Sequence, residues 1–356
     1  AAGAHGELVG ALMIHAYHKD RGDHQRVRML IPDSAHGTNP ATSAMVGFEI
    51  VPLATDARGN VDLENLKSLV DDRLAGLMLT NPNTLGLFDE NVEEVIKIVH
   101  DAGGLVYGDG ANMNAILGVT QPGKIGFDIL HYNLHKTFST PHGGGGPGSG
   151  PVMVAERLLD FLPDPVVGII EEGDDENPPL YGLVSPAKTI GRIKAFHGHF
   201  GIHVRAFTYI SMLGAKGLRD AAEKAVLNAN YMQEKLKGSY TLPYDRSCMH
   251  EFVLEGFWDD VPGIQALDIA KRLIDYGIHP PTNYFPLIVK EALMIEPTET
   301  ENLETLDRFV EVMLKIAEEA RTQPELLKNA PHNAPIKRAD ELKAAKELVL
   351  RCYPKY

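Results

Sequence analysis

Short apolar runs punctuate the first part of the chain, and the stretches between them repeat their apolar positions every three or four residues. Val27 to Pro32, Phe48 to Leu53, Gly76 to Thr80, Leu105 to Asp109 and Phe127 to Tyr132 read as strands. Asp62 to Asp72 and Glu90 to Ala102 read as helices. Strand and helix in alternation predict a mostly parallel sheet covered on both faces. Ligands of such sheets sit at the C-terminal ends of the strands. Asp109, the turn Thr80-Asn81-Pro82-Asn83 and the segment 131–137 fall at such ends.

The opening residues Ala1 to Glu7 lead into apolar positions at Leu8, Leu12 and Ala16, with His15 beside them, so the chain is expected to begin at a helix N-terminus. A segment preceding that helix is expected to be missing. Ser185 to Leu236 lacks strong breakers apart from Pro186 and a few glycines, and predicts a bridging helix. Beyond it the pattern becomes α+β. Glu251 to Leu254 and Ala292 to Ile295 read as strands, Ile264 to Tyr276 and Leu303 to Ala320 as helices, and 322–338 as a surface loop. The expected class is α/β. A large domain covers residues 1–235 with the bridging helix, and a smaller α+β domain covers 236–356.

Composition changes the picture little. The 356 residues suffice for one large and one small domain. A net charge of −14 without a basic block argues against nucleic acid or a membrane surface as partner. Two distant cysteines, Cys248 and Cys352, point to a reducing compartment. No apolar run approaches the ~18 residues of a membrane span. No secretory signal pattern is read, and a cytoplasmic protein is the expectation.

Candidate chemistry gathers around Asn133-Leu134-His135-Lys136-Thr137, followed by Pro141-His142 and the run Gly143 to Gly146. Upstream stand Asp109-Gly110-Ala111-Asn112 and Ser34-Ala35-His36-Gly37-Thr38-Asn39. A lysine amine, a strand-end carboxylate and an imidazole are what a pyridoxal 5'-phosphate enzyme supplies: a Schiff-base amine, a partner for the pyridine nitrogen and a flat ring to stack on the cofactor. Lys136 would need at least partial burial for a lowered amine pKa. Asp109 also suits a plain turn cap, and His36 a plain loop histidine. Ala111 would give the ring a methyl-sized floor, with His36 on the opposite face. Gly3 and Ala4 offer free amides to a phosphate at a helix start, and Thr137 offers a hydroxyl. Asn83 and Thr84 could reach the ring hydroxyl. The glycine run lacks the lysine-serine or lysine-threonine end of a phosphate loop and is not a dinucleotide turn, so a hinge or a close backbone approach remains. His197, His199 and His203 have no carboxylate at ligand spacing, so no metal site is expected.

These stretches resemble the C-terminal half of the decarboxylating glycine dehydrogenases, the P-proteins of the glycine cleavage system, which is subunit 2 where that enzyme is split. Pro280-Pro281-Thr282, His250-Glu251-Phe252 and Ile295 to Thr300 continue the match, as do Ile31 to Pro40, Thr80 to Thr84 and Pro141 to Pro151. The resemblance implies fold type I of the pyridoxal phosphate enzymes. It implies Lys136 as the cofactor lysine, Asp109 as the pyridine partner, His36 as the stacking residue and His135 at the substrate. His5 stands where the family usually has glutamine.

The implied reaction decarboxylates glycine and transfers the aminomethyl group to the lipoyl group of the H-protein. The lipoyl disulfide is then the oxidant, and no redox cofactor is needed. A companion subunit 1, or the N-terminal half of a fused enzyme, is the implied partner; Ile202, Phe207 and Ile210 on the bridging helix are candidate contacts, and ordinary core packing explains them equally well. Two alternatives stay open: another fold type I amino-acid decarboxylase, and a non-catalytic scaffold subunit.

Overall fold

The structure, a computed structural model, describes residues 1–142 and 147–351. The glycine run Gly143 to Gly146 and Cys352 lie outside the described residues.

Strands β1 (Arg28–Pro32), β2 (Glu49–Leu53), β3 (Leu74–Thr80), β4 (Leu105–Gly110), β5 (Ile129–Tyr132) and β6 (Val152–Val154) form one sheet in the order β2-β1-β3-β4-β5-β6. The pairings through β5 are parallel, and β6 runs antiparallel beside β5. All residues of β3 and β4 are buried, as parallel strands covered on both faces must be. That burial is why they read as unbroken apolar runs. Helices α1 (Gly3–Asp20), α2 (Thr38–Val46), α3 (Leu63–Leu69) and α4 (Val92–Asp101) supply the covering layers. On one side Met13 and Ile14 of α1 pack with Met29, Met78 and Tyr107. On the other Val95, Ile96 and Val99 of α4 pack with Leu74, Leu77 and Val106. Helix α3 starts where Asp62 accepts from the amides of Glu64 and Asn65.

Two short helices follow, α5 (Pro122–Ile125) and the single turn α6 (Leu134–Thr137). An antiparallel hairpin, β7 (Val166–Glu171) with β8 (Leu180–Val184), then stands out of the sheet. The apolar alternation did not reveal it, because Val167, Tyr181 and Leu183 are exposed rather than facing a core. The predicted helix over 185–236 is shorter. Residues 185–199 are irregular, with Gly191 and Gly198 at positive φ, and α7 runs from Phe200 to Leu236. It is interrupted at Gly214 (φ 60°, ψ −176°), a backbone conformation that glycine tolerates and other residues rarely adopt.

The C-terminal part carries β9 (Phe252–Glu255), β10 (Thr282–Asn283) and β11 (Ala292–Ile295) in the antiparallel order β10-β11-β9. Helices α8 (Ala266–Asp275), α9 (Leu303–Thr322), α10 (Pro324–Lys328) and α11 (Glu341–Lys346) accompany it. Phe252, Leu254, Leu273 and Met313 form its core together with Ala229 and Met232 of α7 and Leu85 and Leu87 of the β3–α4 connection. The segment 322–338 is not wholly a surface loop. Leu327 of α10 and Ala330 are fully buried in the C-terminal part, and Arg338 donates to the carbonyls of both. Among the described residues, no helix is long and apolar enough to cross a membrane.

Helix α1 lies unusually close to the sheet. A Cβ at Gly10 would stand 2.5 Å from the Tyr107 ring. Gly10→Ala is therefore expected to cost about 1–3 kcal/mol, the range for overpacking a filled core. The check is the thermal unfolding midpoint by circular dichroism; a midpoint equal to wild type would mean the helix does not press on Tyr107.

Candidate active site

The C-terminal ends of β1, β3, β4 and β5 open on a cavity of about 590 Å³, which residues from the C-terminal sheet close from the other side. Lys136 lines it from α6, whose one turn begins directly after β5. Its side chain is exposed to the cavity rather than buried, since the cavity wall opens around it; the expected burial of this lysine is not found.

Asp109 sits on β4, next to the strand's last residue, only 5% exposed, and lines the same cavity. Its Oδ1 accepts from the Ala111 amide at 3.0 Å, so it caps the turn and faces the cavity at once. No Cβ fits at Gly110, where one would stand 2.0 Å from the His131 carbonyl oxygen. Ala111 follows as a small cavity-facing residue. His36 reaches the cavity from the connection after β1, tied to the Thr38 hydroxyl at 2.8 Å and meeting Phe285 edge-on at 5.8 Å. His135 lines it too. Burial, with His142 and Lys136 nearby, pushes its imidazole down to about 4, so it is neutral at ordinary pH.

Gly3 and Ala4 bring the start of α1 to the cavity, with amides that have no intrahelical carbonyl to bond. Thr84 lines the cavity and donates to the Ser34 carbonyl. Two predicted residues are placed elsewhere. Asn83 is engaged in its own turn, donating to the Gly59 carbonyl at 2.8 Å and accepting from Leu85 and Leu87 amides. The Thr137 hydroxyl is buried without a hydrogen-bond partner among the described residues and is not part of the cavity wall.

The wall also holds groups that the residue pattern did not single out. Glu7 of α1 is 5% exposed and accepts from the hydroxyls of Thr38 at 2.9 Å and Thr42 at 3.5 Å. Burial and the neighbouring Asp109 carboxylate push its carboxyl up to about 7. Glu251 is buried, bonded to Asn112 at 3.4 Å, and driven well above the ordinary carboxyl range by burial and by Glu296. His131 stands behind Asp109. Glu251 and Glu296 lie in the matched stretches His250-Glu251-Phe252 and Ile295 to Thr300, which was their only signal. Glu7 could have been noticed as an acid on the face of α1 that carries the glycines.

The residues present fit pyridoxal phosphate. A lysine amine, a carboxylate, an imidazole, a small-residue floor and free helix-start amides share one cavity. The Thr80 hydroxyl lines that cavity and is buried with no partner among the described residues, which leaves a polar contact open to a ligand.

Comparison with known proteins agrees with that fit. A family model described as the glycine dehydrogenase C-terminal domain matches residues 221–340, and a class-V aminotransferase model matches residues 15–165. The chain is 60% identical over 351 residues to a probable glycine dehydrogenase (decarboxylating) subunit 2 of Alkaliphilus oremlandii, covering 99% of this chain and 71% of the relative. The protein of the same description from Caldanaerobacter subterraneus subsp. tengcongensis is 57% identical over 356 residues, with coverage of 99% and 71%. Among solved structures, an inhibitor-bound glycine decarboxylase (P-protein) of the glycine cleavage system superposes with a TM-score of 0.73 at 21% identity, covering 88% of this chain and 70% of that one. A glutamate decarboxylase from Lactobacillus brevis gives a TM-score of 0.67 at 16% identity, with coverage of 90% and 74%. At such identities these structures show a shared fold, that of the pyridoxal phosphate enzymes of type I.

Glu7 makes stability depend on pH. The unfolded chain releases this proton near the ordinary value of 4.5, and the folded chain only near 7. Between the two the folded state binds more protons, so stability falls as pH rises through that window. Glu7→Gln in the cofactor-free protein should add on the order of 2 kcal/mol near pH 8 and little near pH 5. Urea unfolding midpoints at the two pH values check this; an equal difference at both would show that the Glu7 proton is not the cause.

Proposed function

The chain belongs to the family of glycine dehydrogenase (decarboxylating) subunit 2, and from that premise we propose that it decarboxylates glycine with pyridoxal 5'-phosphate anchored on Lys136 and hands the aminomethyl group to the lipoyl group of the H-protein. The observation that carries this reading is the meeting of Lys136, Asp109 and His36 in one cavity at the strand ends. When bound, the cofactor supplies an electron sink for the pair left behind as carbon dioxide departs.

Each residue has a part that follows from its place. Asp109 faces the cavity as a fixed carboxylate partner for a protonated ring nitrogen, an electrostatic contact preorganised before the reaction begins. Lys136 lines the cavity with an exposed side chain, as the anchoring amine. The amides of Gly3 and Ala4 face an anionic group, with the positive end of the α1 dipole behind them. His36 and Ala111 bound the space for a flat ring. Glu251, held protonated by burial, adds no second negative charge beside the glycine carboxylate. In the transfer, the carbon forms a bond to one lipoyl sulfur as the S–S bond breaks. The second sulfur leaves with the electron pair and takes a proton. That proton comes from water; His135, neutral and beside Lys136, is the group we assign to pass it, giving its N–H proton to the sulfur as its other nitrogen takes one from water.

The words "subunit 2" in the relatives' names imply a companion subunit. Phe207 of α7 is 71% exposed and Ile210 37%, which supports them as contacts for it. Ile202 is 5% exposed and packs on Leu134 and Ala206, so it serves the core instead. We also assign residues 1–235 to a cofactor-binding large domain and 236–356 to a small one. The separate six-stranded and three-stranded sheets support that division.

Borohydride reduction of the cofactor-loaded protein should fix the pyridoxyl mass on the peptide that contains Lys136. Its recovery on another lysine would sink the assignment. Asp109→Asn should retain the cofactor but lose at least about 10²-fold in glycine–carbon dioxide exchange measured with lipoylated carrier and the companion subunit. Near-normal exchange would reduce Asp109 to a turn cap.

A further inference from the structure

Behind Asp109 lies a row of buried polar side chains, His131 and Tyr107. Asp109 and His131 are register partners on β4 and β5, and Tyr107 lies two residues before Asp109, so all three project from the same face of the sheet. Their exposures are 5%, 1% and 0%. The Tyr107 hydroxyl bonds His131 Nδ1. The two rings stack at 5.8 Å with 16° between their planes. The other imidazole nitrogen, Nε2, stands 3.5 Å from Asp109 Oδ1 and 2.8 Å from Asn133 Nδ2.

Three glycines of α1 press the helix onto this row. A Cβ at Gly3 would stand 2.3 Å from Asn133, one at Gly6 2.9 Å from His131, and one at Gly10 2.5 Å from Tyr107. The imidazole is therefore clamped between helix backbone and sheet and cannot turn away.

Chemistry then selects its tautomer. The hydroxyl of Tyr107 has a proton to give and, among the described residues, no other hydrogen-bond partner than Nδ1. If it donates there, Nε2 carries the imidazole proton and presents it to Asp109; this tautomer has the Asn133 amide turned by half from its orientation in the structure, so that its oxygen replaces Nδ2 and accepts from the same N–H. The opposite tautomer would set the Nε2 lone pair against a carboxylate oxygen at 3.5 Å, which is repulsive. Burial and Lys136 oppose a second proton on the ring, although Asp109 favours it.

We infer that His131 is a positioning residue for the cofactor's pyridine partner: its Nε2–H, fixed by the Tyr107 hydroxyl on the far nitrogen, holds and aims the Asp109 carboxylate from behind. This rests on the reading of Asp109 as that partner. His131 is 1% exposed at the cavity wall, with Nε2 beside Asp109, and the role assigned to it is exerted through Asp109. A distal bond of this kind orients a first contact and tunes its strength, as outer partners do for metal-bound imidazoles.

The test uses the cofactor-loaded protein assembled with its companion subunit, and reads the cofactor's dissociation constant and the pH midpoint of its visible absorbance. Asp109→Asn is the control for the underlying reading and should move the midpoint. His131→Phe keeps a flat buried ring but no donor; it should weaken cofactor binding about tenfold, the scale of one hydrogen bond to a charged group, and move the midpoint in the same direction as Asp109→Asn by less. His131→Gln, which restores a donor, should recover part of both. Tyr107→Phe removes only the hydroxyl and should shift the midpoint the same way, so it carries the test if His131→Phe does not fold. A midpoint moved by Asp109→Asn but left at the wild-type value by both His131→Phe and Tyr107→Phe would overturn the inference alone. A midpoint unmoved by Asp109→Asn would overturn it together with the reading beneath it.

Discussion

The close approach of α1 to the ends of β4 and β5 is the constraint on which the site depends. Gly3, Gly6 and Gly10 follow the helical repeat and form a stripe on one face of α1. Each meets a different side chain, Tyr107 of β4, His131 of β5 and Asn133 just after it, at a distance where a methyl group would collide. That fit carries the first residues of the helix, with their free amides, to the cavity that Lys136 lines. It also inserts Glu7 between the hydroxyls of α2 and Asp109. A side chain at any of the three positions would lift the helix and separate these groups together.

The cavity uses one kind of functional group for several ends by changing its surroundings. Asp109 accepts an amide hydrogen bond from Ala111 and has an imidazole nitrogen behind it. Glu7 and Glu251 are buried near other carboxyls, and both are pushed toward the protonated form. The sorting of like groups by environment is a familiar way to divide roles in a site. Here it leaves a cavity that can accept an anionic cofactor and a carboxylate substrate, although four carboxyl groups line its wall. His135 follows the same logic from the other side, since burial, with Lys136 nearby, keeps it neutral.

The inner parallel strands β3 and β4 were legible because both of their faces are buried, which makes each of them an apolar run ending in polar residues. The hairpin of β7 and β8 was not, because it turns apolar side chains outward and has no core to set its alternation. Helix α7 reads as one element because its sequence holds no proline, yet Gly214 breaks it. Asn83 and Thr84 show the limit at the scale of a single residue. Both follow β3, and the turn consumes the amide of Asn83 while Thr84 faces the cavity.

The sequence by itself determined the chemistry that local context can encode: a lysine after a strand, an aspartate at a strand end, small residues after it, and a long match to one enzyme family. It also set the strand order's raw material, since burial on two faces leaves its mark on neighbouring residues. Tertiary structure decided which groups act on those residues. Glu7 reaches Asp109 from a helix, His131 reaches it from the next strand, and Glu251 arrives from the C-terminal sheet. Contacts between residues so far apart in the chain leave no periodic trace, because they are set by the register of strands and the depth to which a helix can settle, not by any residue's near neighbours.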